Sequence, residues 1–263
     1  MINVLRRIRQ KMIKENTFSK YLMYAIGEII LVVIGILIAL QINNWNEARK
    51  ATIQEITLLK NIQQDIELDK LDINFNIKHH KQMLKAEIEL LAFLQSDLIK
   101  PKTPIDYSNA LGFPLVSVIQ KSTFNNLINN DISIISNNKL KKTITRFYDY
   151  FVTAVVLMEN ETPEYNTYNV KKPFFLKYFK LDNKSKSIKL STENNEYQYN
   201  PDLERQSLIF KNVQAAKKDE AFKIQLNESQ VFRNAKTSNY INLLNEIDKL
   251  NAALNNELNK LEQ

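Results

Sequence analysis

The chain has 263 residues, with three glycines, no cysteine and a formal net charge of +7. Sites that need clustered glycines, such as a Rossmann phosphate loop, a P-loop or a nucleophile elbow, are therefore excluded. The lack of cysteine excludes disulfides, iron–sulfur clusters, thiolate zinc sites and cysteine nucleophiles. A basic chain first suggests a nucleic-acid partner, so the distribution of the charge has to be considered.

The positive charge is concentrated at the N-terminus. Residues 1–23 hold six basic side chains against one acidic side chain, for a local net charge of +5. The rest of the chain is close to neutral, so the charge is typical of a membrane flank and we expect no nucleic-acid partner. Met1, Leu5, Ile8 and Met12 recur at helical spacing between the basic residues. This pattern predicts either a basic amphipathic helix on anionic lipid or an unstructured basic flank.

Residues 24–42 read YAIGEIILVVIGILIALQI and are apolar except for Glu28 and Gln41. A buried core helix is seldom apolar on every face, and no small-x-small cleavage site of a signal peptide follows the run. At 1.5 Å per residue, the stretch to Trp45 spans about 31 Å, close to the thickness of the hydrocarbon layer. The sequence therefore predicts an uncleaved signal anchor in the inner membrane. Its basic flank places the N-terminus in the cytoplasm and the remaining domain in the periplasm of a double-membraned bacterium.

Two features of this span suggest contacts with its surroundings. Aromatic side chains flank the run where a membrane interface is expected, at Tyr21, Tyr24 and Trp45. Glu28, Gly35 and Ala39 fall on one helix face, and the last two form a small-xxx-small pair. One interpretation is a packing seam for self-association or for docking on a multi-span partner. The other is a glutamate that snorkels to the interface beside incidental small residues.

Two long segments without glycine or proline follow the span. In residues 43–100, apolar side chains recur at helical period, at Ile56, Leu59, Ile62, Ile66, Ile73, Ile77, Leu84, Ile88, Leu91 and Leu94. This predicts a helix leaving the membrane, either continuous or broken near residues 74–76. Residues 202–263 carry a second stripe, at Tyr240, Leu244, Ile247, Leu250, Leu254, Leu258 and Leu261. We expect this segment to pack antiparallel on the long helix or on a second copy of the chain.

The region between them, residues 101–201, is irregular and holds all six prolines. It predicts two helices around a short connection, with Asn137 or Asn138 as an N-cap, then a short aromatic helix followed by a polar loop or a weak hairpin. The predicted fold class is all-α. The transmembrane signal-anchor helix continues into an elongated, coiled-coil-like helical bundle.

The segment YAIGEIILVVIGILIALQINNWNE resembles the N-terminal signature of a family of uncharacterised single-span proteins from flavobacteria and their relatives. STFNNLINNDISIISNNKLKKTITRFYDY and YINLLNEIDKLNAALNNELNKL are also similar to the family pattern. One departure is Asn130-Asp131, where relatives often place Ser-Gly. The resemblance implies a membrane location and a helical architecture, and it implies no activity.

Candidate chemical sites have simpler structural explanations. His79 and His80 are adjacent and so point about 100° apart on a helix, which predicts a solvated face and no metal site. Ser136 and Lys139 match a four-residue Ser/Lys pattern but lack its companion motifs. Three glutamates cluster at a predicted helix end: Glu159, Glu161 and Glu164. Such a cluster is more typical of a solvated surface than of a cation site.

A further candidate is the segment 171–180, which interleaves lysines with aromatic residues. One interpretation is that this segment contacts anionic lipid, envelope glycan or protein. The other is that its aromatic side chains belong to the core. We expect no catalytic residue, no cofactor and no metal.

The favoured function is a non-enzymatic scaffold, adaptor or sensory-type domain that acts by protein–protein contact. Its expected partners are the bilayer, anionic lipid at the N-terminal arm, and another protein or a second copy through the span and the long helix. The alternative is a membrane-tethered envelope hydrolase with a site near Ser136, Asp149 or Glu159, although both histidines lie on the long helix.

Overall fold

The computed structural model describes residues 18–112, 115–130, 132–160, 167–182 and 208–263. The chain divides into two units, Met1–Thr57 and Leu58–Gln263, which are considered separately. Helices make up nearly all of the described secondary structure, and the strands found there are two segments of three residues each. The predicted all-α class is confirmed.

The first helix, α1, runs over Phe18–Gln95 without interruption. It continues through residues 74–76, where the Asn74 and Asn76 side chains donate to carbonyls one turn earlier at 2.8 and 3.0 Å. It ends at Gln95, earlier than the predicted residue 100. The Lys217 ammonium donates to the carbonyls of Phe93 and Ser96 at this end, where a cation also complements the helix dipole.

Shorter elements follow α1. In chain order they are α2 (Tyr107–Leu111), α3 (Ser122–Asn130), a 3₁₀ turn (Ile132–Ile134), α4 (Asn138–Arg146), a π-helical turn (Phe147–Val152), α5 (Thr153–Asn160), α6 (Thr167–Tyr178), β1 (Phe179–Leu181), β2 (Leu208–Phe210), α7 (Val213–Lys218) and α8 (Glu220–Leu261). Asn137 caps α4, since its Oδ1 accepts from the Lys139 and Leu140 amides. The N-cap prediction is thereby settled in favour of Asn137.

Within the second unit, residues 58–95 of α1 pack antiparallel against α8 of the same chain. Contacts between the two helices run in opposite chain directions, at Lys60–Glu262, Gln63–Asn255, Lys70–Asp248, His80–Arg233 and Glu87–Ser229. The α8 side of this contact uses the predicted stripe, of which Tyr240, Ile247 and Leu254 are fully buried. Each helix therefore provides the partner for the other's apolar face.

The core stripe of α1 differs from the prediction near its end. Ile88 is 49 % exposed, whereas Met83, Glu87 and Leu90 are fully buried. The predicted stripe assigned Ile88 to the core because it is apolar and correctly spaced. The fold instead buries the neighbouring charged residue, because opposite charges surround it.

Candidate functional site

A buried group of charged and polar side chains lies where α1, α6 and α8 meet. We call it the Glu87 cluster, and its members are His80, Glu87, Thr167, Lys171, Ser229 and Arg233. The Lys171 ammonium donates to the Glu87 carboxylate and, at 2.6 Å, to the Ala110 carbonyl. Arg233 donates to both Glu87 oxygens from Nε at 3.1 Å. The cluster thus joins three helices and the end of α2 through one carboxylate.

Arg233 also bonds two other members of the cluster, whereas His80 Nε2 is buried without a hydrogen-bond partner among the described residues. Arg233 Nη2 donates to the Thr167 hydroxyl at 2.9 Å, and its Nη1 lies 2.9 Å from His80 Nδ1. Since a guanidinium only donates, His80 Nδ1 accepts and the ring is neutral. Burial lowers the pKa of His80 to about 3, with Arg233 and Lys236 acting in the same direction.

The charges of the cluster act on the pKa of Glu87 and on that of Lys171. Burial alone would raise the pKa of Glu87, but Lys171 and Arg233 hold it below its ordinary value. Burial lowers the pKa of Lys171 to about 8, against the attraction of Glu87. Lys171 is fully buried, and its ammonium is used in bonds to the protein itself. This arrangement is typical of a structural ion-pair network.

Gly112 is the one described glycine with a positive φ, at 80°, and it lies against the cluster. A Cβ there would lie 2.8 Å from Arg233 Nη2. A side chain would be strained by the backbone conformation and would also displace the guanidinium. The glycine therefore allows the chain after α2 to approach the buried cations.

A second buried group centres on Glu159, at the end of α5. Its carboxylate accepts the Tyr240 hydroxyl and the Ser117 backbone amide, the latter at 2.8 Å. Burial raises the pKa of Tyr240, and the Glu159 charge adds to this. Lys236 lies 3.9 Å from Glu159 and donates to the Leu115 carbonyl at 2.9 Å.

Three aspartates on successive turns of α1 form what we call the aspartate face: Asp65, Asp69 and Asp72. Asp72 Oδ2 accepts the Val118 amide and Asp69 Oδ1 accepts the Gln120 amide, both at 2.8 Å. With the bond from Ser117 to Glu159, these contacts hold residues 115–121 to the helices through backbone amides. Carboxylates are strong acceptors for such amides.

The aspartate face lacks the compensation seen in the Glu87 cluster. Asp65 Oδ2, Asp69 Oδ2 and the Tyr148 hydroxyl are buried without a hydrogen-bond partner among the described residues. Burial raises the pKa of Asp69 to about 7, against the hydrogen bond from the Gln120 amide, which lowers it. The charges of Asp65 and Asp72 add to the effect of burial. Burial likewise raises the pKa of Tyr148.

The residues predicted to form the transmembrane seam lie in the first unit. Glu28, Gly35 and Ala39 are exposed on α1, and a Cβ at Gly35 would meet nothing within 4 Å. Tyr24 and Trp45 are 55 % and 65 % exposed, while the Tyr21 side chain lies outside the described residues. The seam and the interfacial aromatics remain predictions. The amphipathic pattern of residues 1–12 lies outside the described residues.

Several alternative chemical sites are occupied by structural contacts. His80 is only 3 % exposed, so the prediction that both histidines form a solvated face is wrong for His80, because α8 covers it with Arg233. Ser136 precedes the Asn137 cap, and Asp149 is exposed on the π-helical turn. Glu161 and Glu164 lie outside the described residues. The part of the chain that is described holds no group of three His, Cys, Asp or Glu side chains suited to a metal.

The aromatic residues of the 171–180 segment belong to the core. Phe175, Tyr178 and Phe179 are at most 4 % exposed, and Phe175 stacks on Phe179 with ring centroids 4.7 Å apart. Of the lysines, Lys171 is inside the Glu87 cluster and Lys180 is exposed. The alternation of lysines and aromatic residues in this segment therefore reflects a helix and a strand that each have one buried side.

Among the described residues, one helix, Leu22–Gln95, is long and apolar enough to cross a membrane, judged by length and composition. Its most apolar window has a mean hydropathy of 2.6 and no residue buried within the protein. A family model described as a family of unknown function (DUF6090) matches residues 28–188. The chain belongs to this family. The DUF6090 match therefore includes residues 28–42 of the apolar span, the aspartate face and the elements from α2 to β1. No curated protein and no solved structure matches the chain.

Sequence reasoning missed both buried polar groups of the second unit. Glu87 and Lys171 are isolated charges in the sequence, 84 positions apart, and each resembles a solvated residue. The sequence holds one indirect signal for Glu87. This residue is adjacent to Ile88, in a turn of α1 where the apolar stripe predicts a buried side chain.

Proposed function

We propose that this protein is a single-pass membrane anchor whose helical domain acts by contact with other proteins. The observation that supports the anchor is the exposure of its apolar segment. From Leu22 to Leu40 every side chain except Ala25 is exposed, although the segment is strongly apolar. An apolar surface of this extent is unfavourable in water and suits a bilayer about 30 Å thick.

The proposed orientation places the N-terminus in the cytoplasm and the helical domain in the periplasm. It is supported by the basic residues before the span, because positively charged flanks stay on the cytoplasmic side. Glu47, Arg49 and Lys50 follow the span and give little opposing charge. The basic arm is proposed to contact anionic lipid.

A role as a scaffold, adaptor or sensory-type domain is supported by how the domain uses its ionisable groups. Glu87, Lys171 and Glu159 bond to other side chains and to backbone inside the core. These contacts fix the positions of helices, which suits a domain that presents surfaces to a partner. No observation favours the hydrolase alternative over this proposal.

Cysteine accessibility tests the orientation, because the natural chain has no cysteine. Single variants Asn3→Cys, in the basic arm, and Asn256→Cys, on the exposed side of α8, would be treated with a membrane-impermeant maleimide in spheroplasts. We expect labelling at position 256 in intact spheroplasts and at position 3 only after lysis. The reverse pattern would show the opposite topology, and release of the protein by carbonate washing would exclude the anchor.

A seam at Glu28, Gly35 and Ala39 is the proposed site of contact within the membrane. Gly35→Ile would fill this face, and Gly27→Ile provides a matched control because Gly27 lies on another face and also has open space around its Cα. We expect the full chain in nanodiscs or mild detergent to lose cross-linked dimers or a co-purifying membrane partner only with Gly35→Ile. Equal behaviour of both variants would remove the seam from the proposal.

A further inference from the structure

The aspartate face combines buried carboxylates with a docked segment of the chain. Asp69 is 1 % exposed, and its Oδ1 accepts the Gln120 amide at 2.8 Å. Its Oδ2, together with Oδ2 of Asp65 one turn earlier, has no hydrogen-bond partner among the described residues. Two acceptors on the same helix face therefore lack a donor.

Among the described residues, the groups that act on Asp69 add no positive charge to balance it. On α1, Asp65 and Asp72 both act on Asp69 as like charges. The π-helical turn contributes the Tyr148 hydroxyl, which is buried without a hydrogen-bond partner among the described residues. Residues 115–121 contribute the Gln120 amide, which donates to Asp69. On α8 and α5, Tyr240 and Glu159 bond each other near Asp72. The Lys70 ammonium is paired with Asp248 at 2.6 Å.

A proton on Asp69 would resolve this arrangement. It would remove one of three neighbouring negative charges and turn Oδ2 into a donor. Residues four apart on a helix are neighbours, so the new hydroxyl is within reach of Asp65. Oδ1 would still accept the Gln120 amide, and the docked segment would keep its contact.

We propose that Asp65 and Asp69 form a proton-binding site that couples the docking of residues 115–121 on α1 to the acidity around the domain. In the protonated state the aspartate face is satisfied and the segment is held. After the proton leaves, a buried negative charge remains beside Asp65 and Asp72. The Gln120 amide favours this charged form, but burial opposes it more strongly. Release of the segment, which would hydrate the charge, therefore becomes easier.

The direction of the effect follows from the raised pKa of Asp69, about 7 against 3.8 in the unfolded chain. The folded state binds the proton more tightly, so this stabilisation is complete below about pH 3.8 and is lost as pH rises through about 7. Between about pH 5 and 6.5, one linked proton changes the unfolding constant close to tenfold per pH unit.

His80 titrates in the opposite sense over part of this range. Its folded pKa of about 3 lies below the ordinary 6.5, so His80 destabilises the domain as pH falls from about 6.5. The net pH profile of the natural protein therefore mixes the two effects. A comparison with Asp69→Asn removes this problem, because the His80 effect is common to both proteins and cancels in the ratio of their unfolding constants.

The experiment is urea unfolding of the full chain in detergent micelles, followed by far-UV circular dichroism between pH 5 and 8. The ratio of the unfolding constants of the natural protein and Asp69→Asn is expected to rise close to tenfold per pH unit up to about pH 6.5 and to level off above about 7.5. Asp149→Asn, an exposed neighbour of Tyr148, serves as the control and should give a constant ratio. A constant ratio for Asp69→Asn would overturn the proposal.

Two further measurements keep the test decisive if Asp69→Asn does not fold. Asp65→Asn removes one like charge and supplies a donor, so the pKa of Asp69 should fall. The loss of stability with rising pH should therefore level off at a lower pH than in the natural protein. Hydrogen exchange at the Val118 and Gln120 amides, corrected for the intrinsic rate at each pH, should rise through the same range. An unchanged profile with Asp65→Asn, or protection independent of pH, would contradict the proton-binding site.

Discussion

The Glu87 cluster and the aspartate face lie on the same helix, α1, and differ in how their buried charge is compensated. Glu87 receives a lysine, an arginine and a serine hydroxyl at hydrogen-bond distance. Asp69 receives one backbone amide and has two like-charged neighbours. Burial penalises the charged form in both places, but only the first carboxylate has cations that outweigh the penalty. One buried carboxylate is therefore held ionised, and the other favours its proton.

This contrast also separates two structural tasks. The Glu87 cluster joins the helices themselves, since its members come from α1, α6 and α8. The aspartate face holds an extended segment by its amides and adds no cation to the contact. We expect mutation to destabilise the first region more strongly than the second, because the first region joins three helices.

The largest effect is expected when the Glu87 cluster loses one cation. Arg233→Met removes the donors to both Glu87 oxygens and to Thr167, leaving a buried carboxylate with incomplete compensation. Breaking a buried pair in this way costs about 3–5 kcal/mol of unfolding free energy. Chemical denaturation of the full chain measures it, and Arg146→Met at an exposed position should change stability by less than about 1 kcal/mol.

The same variant also has an expected pH signature. The pKa of Glu87 is lowered in the fold, so its stabilisation is present above its ordinary pKa of 4.5 and is lost as pH falls through the folded value. The difference between the natural protein and Arg233→Met should therefore shrink in acid. A difference that stays constant into acid would mean that Arg233 stabilises by packing alone.

A smaller loss is expected at the Glu159 group. Tyr240→Phe keeps the buried ring and removes the hydroxyl that donates to Glu159. A charged acceptor that loses a buried donor costs about 1–3 kcal/mol. The measurement is again the unfolding free energy of the full chain. Loss of less than about 0.5 kcal/mol would show that Ser117 alone satisfies Glu159.

Gly112→Ala tests how closely the backbone approaches the Glu87 cluster. The new Cβ would lie 2.8 Å from Arg233 Nη2 at a φ of 80°, and a strained backbone of this kind costs about 1–3 kcal/mol. Gly27→Ala is the matched control, because a Cβ there meets nothing within 4 Å. If both variants unfold at the same urea concentration, the cluster does not depend on this approach.

The sequence predicted the helices and not the charge clusters, for a physical reason. Apolar spacing at Leu59, Ile62 and Ile66 reports a helix face directly, because burial repeats with the helical turn. Apolarity on every side of residues 24–42 likewise indicated a span. The partner of a charged residue depends on which distant segments pack together in the fold. The residues next to Glu87, Lys171 and Arg233 in the sequence therefore do not indicate that these three side chains are in contact. His80 and Ile88 were misassigned for the same reason, since the charges on α8 decide which side of α1 is covered.

The smallest effect, and one of opposite sign, is expected at the aspartate face. The Tyr148 ring stacks on Phe124 with centroids 4.3 Å apart, whereas its hydroxyl is buried with no partner among the described residues. Tyr148→Phe keeps the stacking and removes a buried polar atom, so it should be neutral or stabilise the domain by up to about 1 kcal/mol. Paired with Tyr240→Phe, it compares removal of the same atom from a compensated and an uncompensated site. If Tyr148→Phe destabilises as much as Tyr240→Phe, the Tyr148 hydroxyl is bonded in solution and the aspartate face is not the uncompensated site described above.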